Sequence, residues 1–291
     1  MECIQSISNS KYEVVLISAG NFQDYIKYNI KNLLLFGNNN ITVITEKEYF
    51  KELTEFPINL VDCKELDDLN YNMNSRLDRQ FRNGFWHLCS LRLFYLYSYM
   101  NKFNKINIIH LENDVMVFEN LELLNFIENN IYVTYDAPNR VIPGFIFVPN
   151  KEIFKPVIDN YNFSLNDMEN LNRYDLEPLP ITFSMYENIN KYNKNFVNFN
   201  YIFDAAAIGQ YLGGVDKRNQ DGDTRGFINE TCIVKYNNFN FYWIKKDNLY
   251  RPCVYIYSKY VPIINLHIHS KELYKFMGDN PIEDKLIKHV I

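Results

Sequence analysis

Ile106-Asn107-Ile108-Ile109-His110-Leu111-Glu112-Asn113-Asp114 is an apolar run that ends abruptly in two carboxylates. Its aliphatic, β-branched character and short length read as a buried strand. Sheets built from alternating strands and helices bind ligands outside the carboxyl ends of their strands, so this strand would deliver its acids where chemistry is done. Whether such a sheet exists depends on the flanking segments.

Upstream, Val14-Val15-Leu16-Ile17-Ser18 is a first strand, Ala19-Gly20-Asn21 a turn, and Tyr25 to Phe36 carries helix-like apolar spacing closed by Gly37. A second strand, Ile41-Thr42-Val43-Ile44-Thr45, follows the turn-prone Asn38-Asn39-Asn40, and Asn59-Leu60-Val61 fits a third. From Asn74 to Met100 the text is long, aromatic and helix-compatible, and it contains Arg76, Arg79, Arg82 and Arg92. Spacings of three put Arg76, Arg79 and Arg82 on one helical face.

Downstream, Ile131 to Tyr135 and Gly144 to Val148 are strand-like, separated by a loop from Asp136 to Pro143. Asp204 to Leu212 reads as a short helix with Asp204 as N-cap and Gly213-Gly214 at its end. Further strands are expected at Cys232 to Tyr236, Phe241 to Ile244 and Pro262 to His269. Strands alternating with helices imply an α/β fold with a mostly parallel central sheet. No internal repeat or domain boundary stands out, so residues 1–291 are read as one domain, with a nucleotide-binding half over about 12–150 and an acceptor-side half over about 151–291.

The bulk properties narrow the function. The chain of 291 residues, 47% hydrophobic and 22% charged, can bury a full core. A net charge of -5 argues against a surface built to neutralise nucleic-acid phosphates. Cys3, Cys63, Cys89, Cys232 and Cys253 are scattered without a metal or redox spacing, as expected of thiols in a reducing compartment. Met1 to Ser10 lacks a signal-peptide layout and no stretch is apolar enough to span a bilayer, so a cytoplasmic location and no membrane span are expected.

Glu112 and Asp114, two residues apart, would fall on one side of a continuing strand, about 7 Å apart between Cα atoms. A hard cation such as Mn²⁺ or Mg²⁺ takes such oxygen ligands and keeps positions open for phosphate. Two acids capping a strand and a following helix are the plainer reading of an isolated Glu-x-Asp. The run Ile264-Asn265-Leu266-His267-Ile268-His269-Ser270-Lys271 favours the metal: in a strand His267, His269 and Lys271 share one side, where an imidazole can add a nitrogen ligand and the ammonium can pair with phosphate. Asp204 is placed either as a helix cap or as a base for an acceptor hydroxyl.

Apolar strand, acidic-x-Asp, late histidine with a nearby lysine, and an N-terminal strand-turn-helix together resemble the GT-A glycosyltransferases, the late histidine in particular their glycogenin-like members. The resemblance implies a Rossmann-like GT-A fold, a mostly parallel mixed sheet flanked by helices. It implies Asp114 as the main metal ligand, Glu112 contacting the metal or ribose directly or through water, and His267 or His269 as the nitrogen ligand. The nucleoside diphosphate sugar would lie against Ser18, Ala19, Gly20, Asn21, Tyr25, Arg76, Arg92, Asn113, Gly144 and Lys271, with Mn²⁺ (or Mg²⁺) as cofactor and Asp204 as catalytic residue. The charged loop from Asp216 to Gly226 could order over bound substrate.

The expected activity is transfer of a hexosyl or N-acetylhexosaminyl group from a sugar nucleotide, a UDP-sugar being the leading donor, to a hydroxyl on a glycan, protein or small molecule. A metal-dependent phosphoesterase or nuclease, and a non-catalytic glycan- or nucleotide-binding protein of the same fold, are the alternatives.

Overall fold

The computed structural model describes residues 10–67, 69–137, 139–179, 201–216, 236–256 and 258–290. In chain order these form β1 (Glu13–Ser18), α1 (Ile26–Leu35), β2 (Ile41–Thr45), β3 (Asn59–Asp62), α2 (Leu69–Asn74), α3 (Phe85–Phe103), β4 (Ile108–Leu111), β5 (Val115–Val117), β6 (Tyr132–Ala137) and β7 (Arg140–Val148). They continue with α4 (Lys151–Asp159), α5 (Asp167–Leu171), β8 (Glu177–Pro178), α6 (Ile208–Gly213), β9 (Asn240–Lys246), β10 (Leu249–Ile256), β11 (Lys259–Pro262), β12 (Asn265–His267) and β13 (Ile287–Val290).

The main sheet runs β3-β2-β1-β4-β7-β6-β8. β3, β2, β1 and β4 pair in parallel, β7 is antiparallel to both β4 and β6, and β8 is parallel to β6. This is the mixed, mostly parallel α/β sheet flanked by helices that the resemblance implies. Its centre is buried along its whole length, as in β1, because helices cover a parallel sheet on both faces. A second sheet of order β11-β10-β9-β13 uses the chain's last third, and β5 pairs with β12 in a two-stranded ladder.

Several expected boundaries shift. The helix expected from Asn74 to Met100 is broken, with α2 ending at Asn74 and α3 starting at Phe85. Arg82, Asn83 and Gly84 all take positive φ, which no right-handed helix tolerates, so Arg76, Arg79 and Arg82 do not share a helical face. The expected loop from Asp136 to Pro143 is mostly the end of β6 and the start of β7, which meet in a hairpin. The strand expected from Pro262 to His269 is split between β11 and β12. The expected strand at Cys232 to Tyr236 lies, except for Tyr236, outside the described residues.

Two buried asparagines on α1 decide where the acidic turn sits. Asn29 donates through Nδ2 to the carbonyls of Asn113 (3.1 Å) and Val115 (3.0 Å), and Asn32 donates to that of Val117 (2.6 Å). Buried polar groups need such partners, so α1 holds β5 by side chain where the sheet has no strand to offer. Cys63 and Cys253 are buried free thiols and Cys89 a half-buried one. No described helix is long and apolar enough to cross a membrane.

Candidate metal centre

β4 ends at Leu111, and Glu112 to Asp114 form a tight turn into β5, closed by the Val115 N–H on the Glu112 carbonyl at 3.0 Å. The carboxylates therefore converge through a turn and not by alternating along one strand. On the other side, His267 is the last residue of β12, opposite Val115 in the ladder with β5. The two segments are thus sewn together by backbone pairing, extended by the Ile268 N–H on the Asp114 carbonyl at 2.9 Å.

Glu112, Asp114 and His267 each present a ligand atom within 4.8 Å of the others. His267 Nε2 lies 2.9 Å from Glu112 Oε2 and 3.3 Å from Asp114 Oδ2. Its Nδ1 donates to the Ala205 carbonyl at 2.7 Å. That bond leaves Nε2 as the nitrogen available to a cation, the arrangement usual for a metal-ligating histidine. Two carboxylates and one imidazole are a fitting donor set for Mn²⁺ or Mg²⁺ with positions left for other oxygens.

The electrostatics are those of two buried carboxylates neutralised by neighbouring cations. Burial opposes ionisation of Asp114, but Lys271 and His267 outweigh it and hold the carboxyl well below its usual range. Glu112 is likewise driven down, against burial, by Arg92 and His267. Burial disfavours the His267 imidazolium, yet Asp114 and Glu112 raise its pKa well above the ordinary value. Imidazolium and ammonium therefore stand where a divalent ion would put its charge.

The remaining residues of the run divide. Lys271 forms an ion pair with Asp114 and sits 5.8 Å from the centre of the Tyr25 ring. It reaches the site through a turn, with φ at +62°, and not by strand alternation. The His269 ring lies beside that of His267 at 4.6 Å between centroids, tilted by 56°, and its Nε2 is buried without a hydrogen-bond partner. Burial pushes its pKa down to about 3. His110, fully buried on β4, donates from Nδ1 to the Val15 carbonyl (2.9 Å) and is not part of the group.

Asp204 is buried, with its carboxylate taken up by backbone N–H groups. Its Oδ1 accepts from the N–H groups of Ala207 and Ile208 (both 2.8 Å), and its Oδ2 from those of Gly209 (2.7 Å) and His267 (2.9 Å). Asn265 completes the clamp, donating to the Asp204 carbonyl at 2.8 Å and accepting from its N–H at 3.2 Å. With both oxygens filled and 1% exposure, the carboxylate is a structural link between the α6 turn and β12, which corrects its assignment as a base. α6 begins at Ile208, four residues beyond the expected start; Ala207 is its N-cap residue, and Asp204, in the preceding turn, accepts from the first N–H groups of the helix. Gly209 lies against this link, and a Cβ there would collide with the His267 carbonyl oxygen.

Other expected donor contacts are relocated. Gly144 packs on the His267 ring, where a Cβ would meet Nδ1 at 3.0 Å, and its carbonyl accepts from the Glu112 N–H at 2.9 Å. It therefore supports the centre from behind. Arg92 is ion-paired to Glu112 and to Asp167 (2.8 Å). Arg76 is exposed and lies in the segment between α2 and α3.

Ser18 is buried at the end of β1 with its Oγ unpartnered; Asn113 donates to the Ile17 carbonyl (3.1 Å) and Gln23 Oε1 (2.9 Å), leaving its own Oδ1 unpartnered. Ala19 is half-buried, and Gly20 donates to Glu46 at 2.7 Å. Asn21 helps line a cavity of about 650 Å³ with Phe22, Asp24 and Tyr49. Phe22 and Tyr49 stack at 5.0 Å. Sequence reasoning misses Asp167 and the asparagines of α1; the signal that could find Asn29 and Asn32 is a polar residue at a helical position whose neighbours are apolar. The loop from Asp216 to Gly226 lies, apart from Asp216, outside the described residues.

No protein-family model matches the chain, and no curated protein matches it. Among solved structures it is similar to the glycosyltransferase GlyE of Streptococcus pneumoniae TIGR4, at 17% identity and a TM-score of 0.41, over 65% of this chain and 50% of that one. The apo form of GlyE aligns over 57% of this chain and 43% of that one, with 19% identity and a TM-score of 0.38. An active-site mutant of LgtC aligns at 14% identity and 0.38, over 55% and 69%, and the bifunctional enzyme WbbM at 14% and 0.39, over 57% and 38%. The chain spans about half the length of the GlyE chains it matches.

Proposed function

We propose that the chain is a metal-dependent glycosyltransferase that moves a sugar from a nucleoside diphosphate sugar, a UDP-sugar first, to a hydroxyl acceptor on a glycan, protein or small molecule. The observation that carries this reading is the convergence of Glu112, Asp114 and His267 within 4.8 Å at the carboxyl end of β4, with Lys271 beside them. Glu112, Asp114 and His267 would hold Mn²⁺ or Mg²⁺. A cation bound there supplies the positive charge that meets the diphosphate as it leaves.

The chain's own residues do the rest. Lys271 brings an ammonium to the same spot, suited to a phosphate oxygen as a point charge. The cavity beside Asn21, Phe22 and Tyr49 offers room for the nucleoside. Held in this way, the donor is oriented before the acceptor arrives, and the preset charges need no rearrangement during transfer. A two-metal hydrolase needs a denser set of ligands, and among the described residues the metal-competent group has three members.

The test is a thermal-shift screen of nucleoside diphosphate sugars with and without Mn²⁺, followed by transfer assays on Asp114→Asn. A donor that stabilises the protein only with metal, and a loss of turnover of at least about 100-fold in the variant, are expected. Near-normal transfer by Asp114→Asn would sink the mechanism.

A further inference from the structure

Glu112 divides its carboxylate between two partners. Oε2 faces His267 Nε2 at 2.9 Å, while Oε1 is ion-paired to Arg92 Nη2. Arg92 is itself held at three points: by Glu112, by Asp167 Oδ2 at 2.8 Å, and through Nε by the Cys89 carbonyl at 2.8 Å. Asp167, the first residue of α5, is 1% exposed, and its Oδ1 accepts from the Met168 N–H at 3.0 Å. The three charged groups thus form a chain from α5 through α3 to the acidic turn.

Buried ion pairs of this kind contribute little net stability, because removing charges from water cancels most of the attraction. What they do well is fix geometry. A guanidinium with two carboxylates on it cannot swing, and a carboxylate with one oxygen held cannot rotate.

The geometry points to Arg92 and Asp167 as positioning residues for the metal centre: Asp167 anchors the guanidinium, Arg92 holds Oε1 of Glu112, and Oε2 is left aimed at the space shared with Asp114 and His267. This rests on the metal reading above. It also reassigns Arg92, expected on the donor, to a role behind the ligand.

The experiment is calorimetric titration of the whole chain with Mn²⁺ alone, no nucleotide present, for the wild type, Arg92→Lys, Asp167→Asn, the double variant of these two, and His267→Ala, with far-UV circular dichroism and thermal unfolding on each. Arg92→Lys keeps the charge but cannot span Glu112, Asp167 and the Cys89 carbonyl together. Asp167→Asn keeps the volume and one acceptor oxygen, and serves if the first variant does not fold.

The expected result is a native spectrum with Mn²⁺ affinity lowered about 10- to 100-fold in each, the range for residues that orient a ligand from behind. The double variant should be no weaker than the worse single one, since both act through Glu112. Wild-type Mn²⁺ affinity in the folded variants, with His267→Ala still deficient, overturns the positioning role and leaves the metal reading standing. Failure of the wild type to bind Mn²⁺ at all overturns both.

Discussion

Lys271 Nζ is ion-paired with Asp114 Oδ2 across 157 residues of sequence. The Asp114 side chain is 6% exposed and that of Lys271 25%. A cation that takes the same oxygen must share it with the ammonium or displace it.

Lys271→Met should therefore bind Mn²⁺ more tightly than the wild type in the absence of nucleotide, by about 10-fold, or about 1.4 kcal/mol. The same variant should bind nucleoside diphosphate more weakly once the metal is in place, having lost a phosphate partner. Titration calorimetry reads both, and a fall in metal affinity would show that Lys271 supports the cation instead of competing with it.

The pH dependence of stability follows from His267 on one side and from His110 and His269, both depressed by burial, on the other. The His267 pKa is raised above its ordinary 6.5, so its contribution is fully present below 6.5 and is lost as pH rises through the folded value. His110 is pushed down to about 4, by burial first and then by Arg92, so only the unfolded chain takes up its proton between about 4 and 6.5, and stability falls there as pH falls. Urea unfolding from pH 4 to 9 should give a maximum near the ordinary histidine value. His267→Gln should flatten the alkaline limb, and His110→Gln and His269→Gln should each remove part of the acid one. A curve that climbs steadily above pH 7 would contradict the assignment of His267.

Proton release gives the metal its own pH profile. Nε2 of His267 must be bare to bind a cation, so Mn²⁺ affinity should rise with pH until the folded value, which lies well above 6.5, is passed. Repeating the titration in buffers of different ionisation enthalpy measures the protons released; none released would place the ion away from His267.

Asp204→Ala removes the acceptor for four backbone N–H groups at once. Leaving buried donors unsatisfied costs about 1–3 kcal/mol each before relaxation, so a loss of at least about 3 kcal/mol is expected in denaturant unfolding. Gly209→Ala should act on the same link by pushing the His267 backbone away, with metal affinity falling alongside stability. Wild-type stability in both would mean that the α6 turn does not hold β12.

How far the sequence speaks for this site depends on the range of the interaction. Runs such as Val14 to Ser18 and Ile108 to Leu111 declare themselves because a strand buried on both faces is apolar throughout, and the acids after Leu111 stand out against it. The meeting of Glu112 and Asp114 with His267 is legible as chemistry but not as geometry. Alternation along strands is the natural expectation, whereas two turns bring the groups together, because turn conformations such as the positive φ of Lys271 leave little mark in residue type.

Asp204 suits a cap and a catalytic base equally well as a residue type, and only the four N–H groups aimed at it decide. The break before α3 is hidden for a related reason. Arg82 and Asn83 are not residues that demand positive φ, and the Gly84 that follows them is common enough inside helix-like text to be passed over.

The ladder of β5 and β12 has a consequence for how the protein comes into being. Its strands hold the two halves of the centre, so no fragment lacking either strand can carry the complete site. Closing a loop of that length costs about 4 kcal/mol of chain entropy, before any contact across it is made. Long-range pairings of this kind form slowly and late. The centre is thus among the last parts of the molecule to exist during folding, and any ion that bridges its two strands acts as a clasp on a loop that spans half the chain.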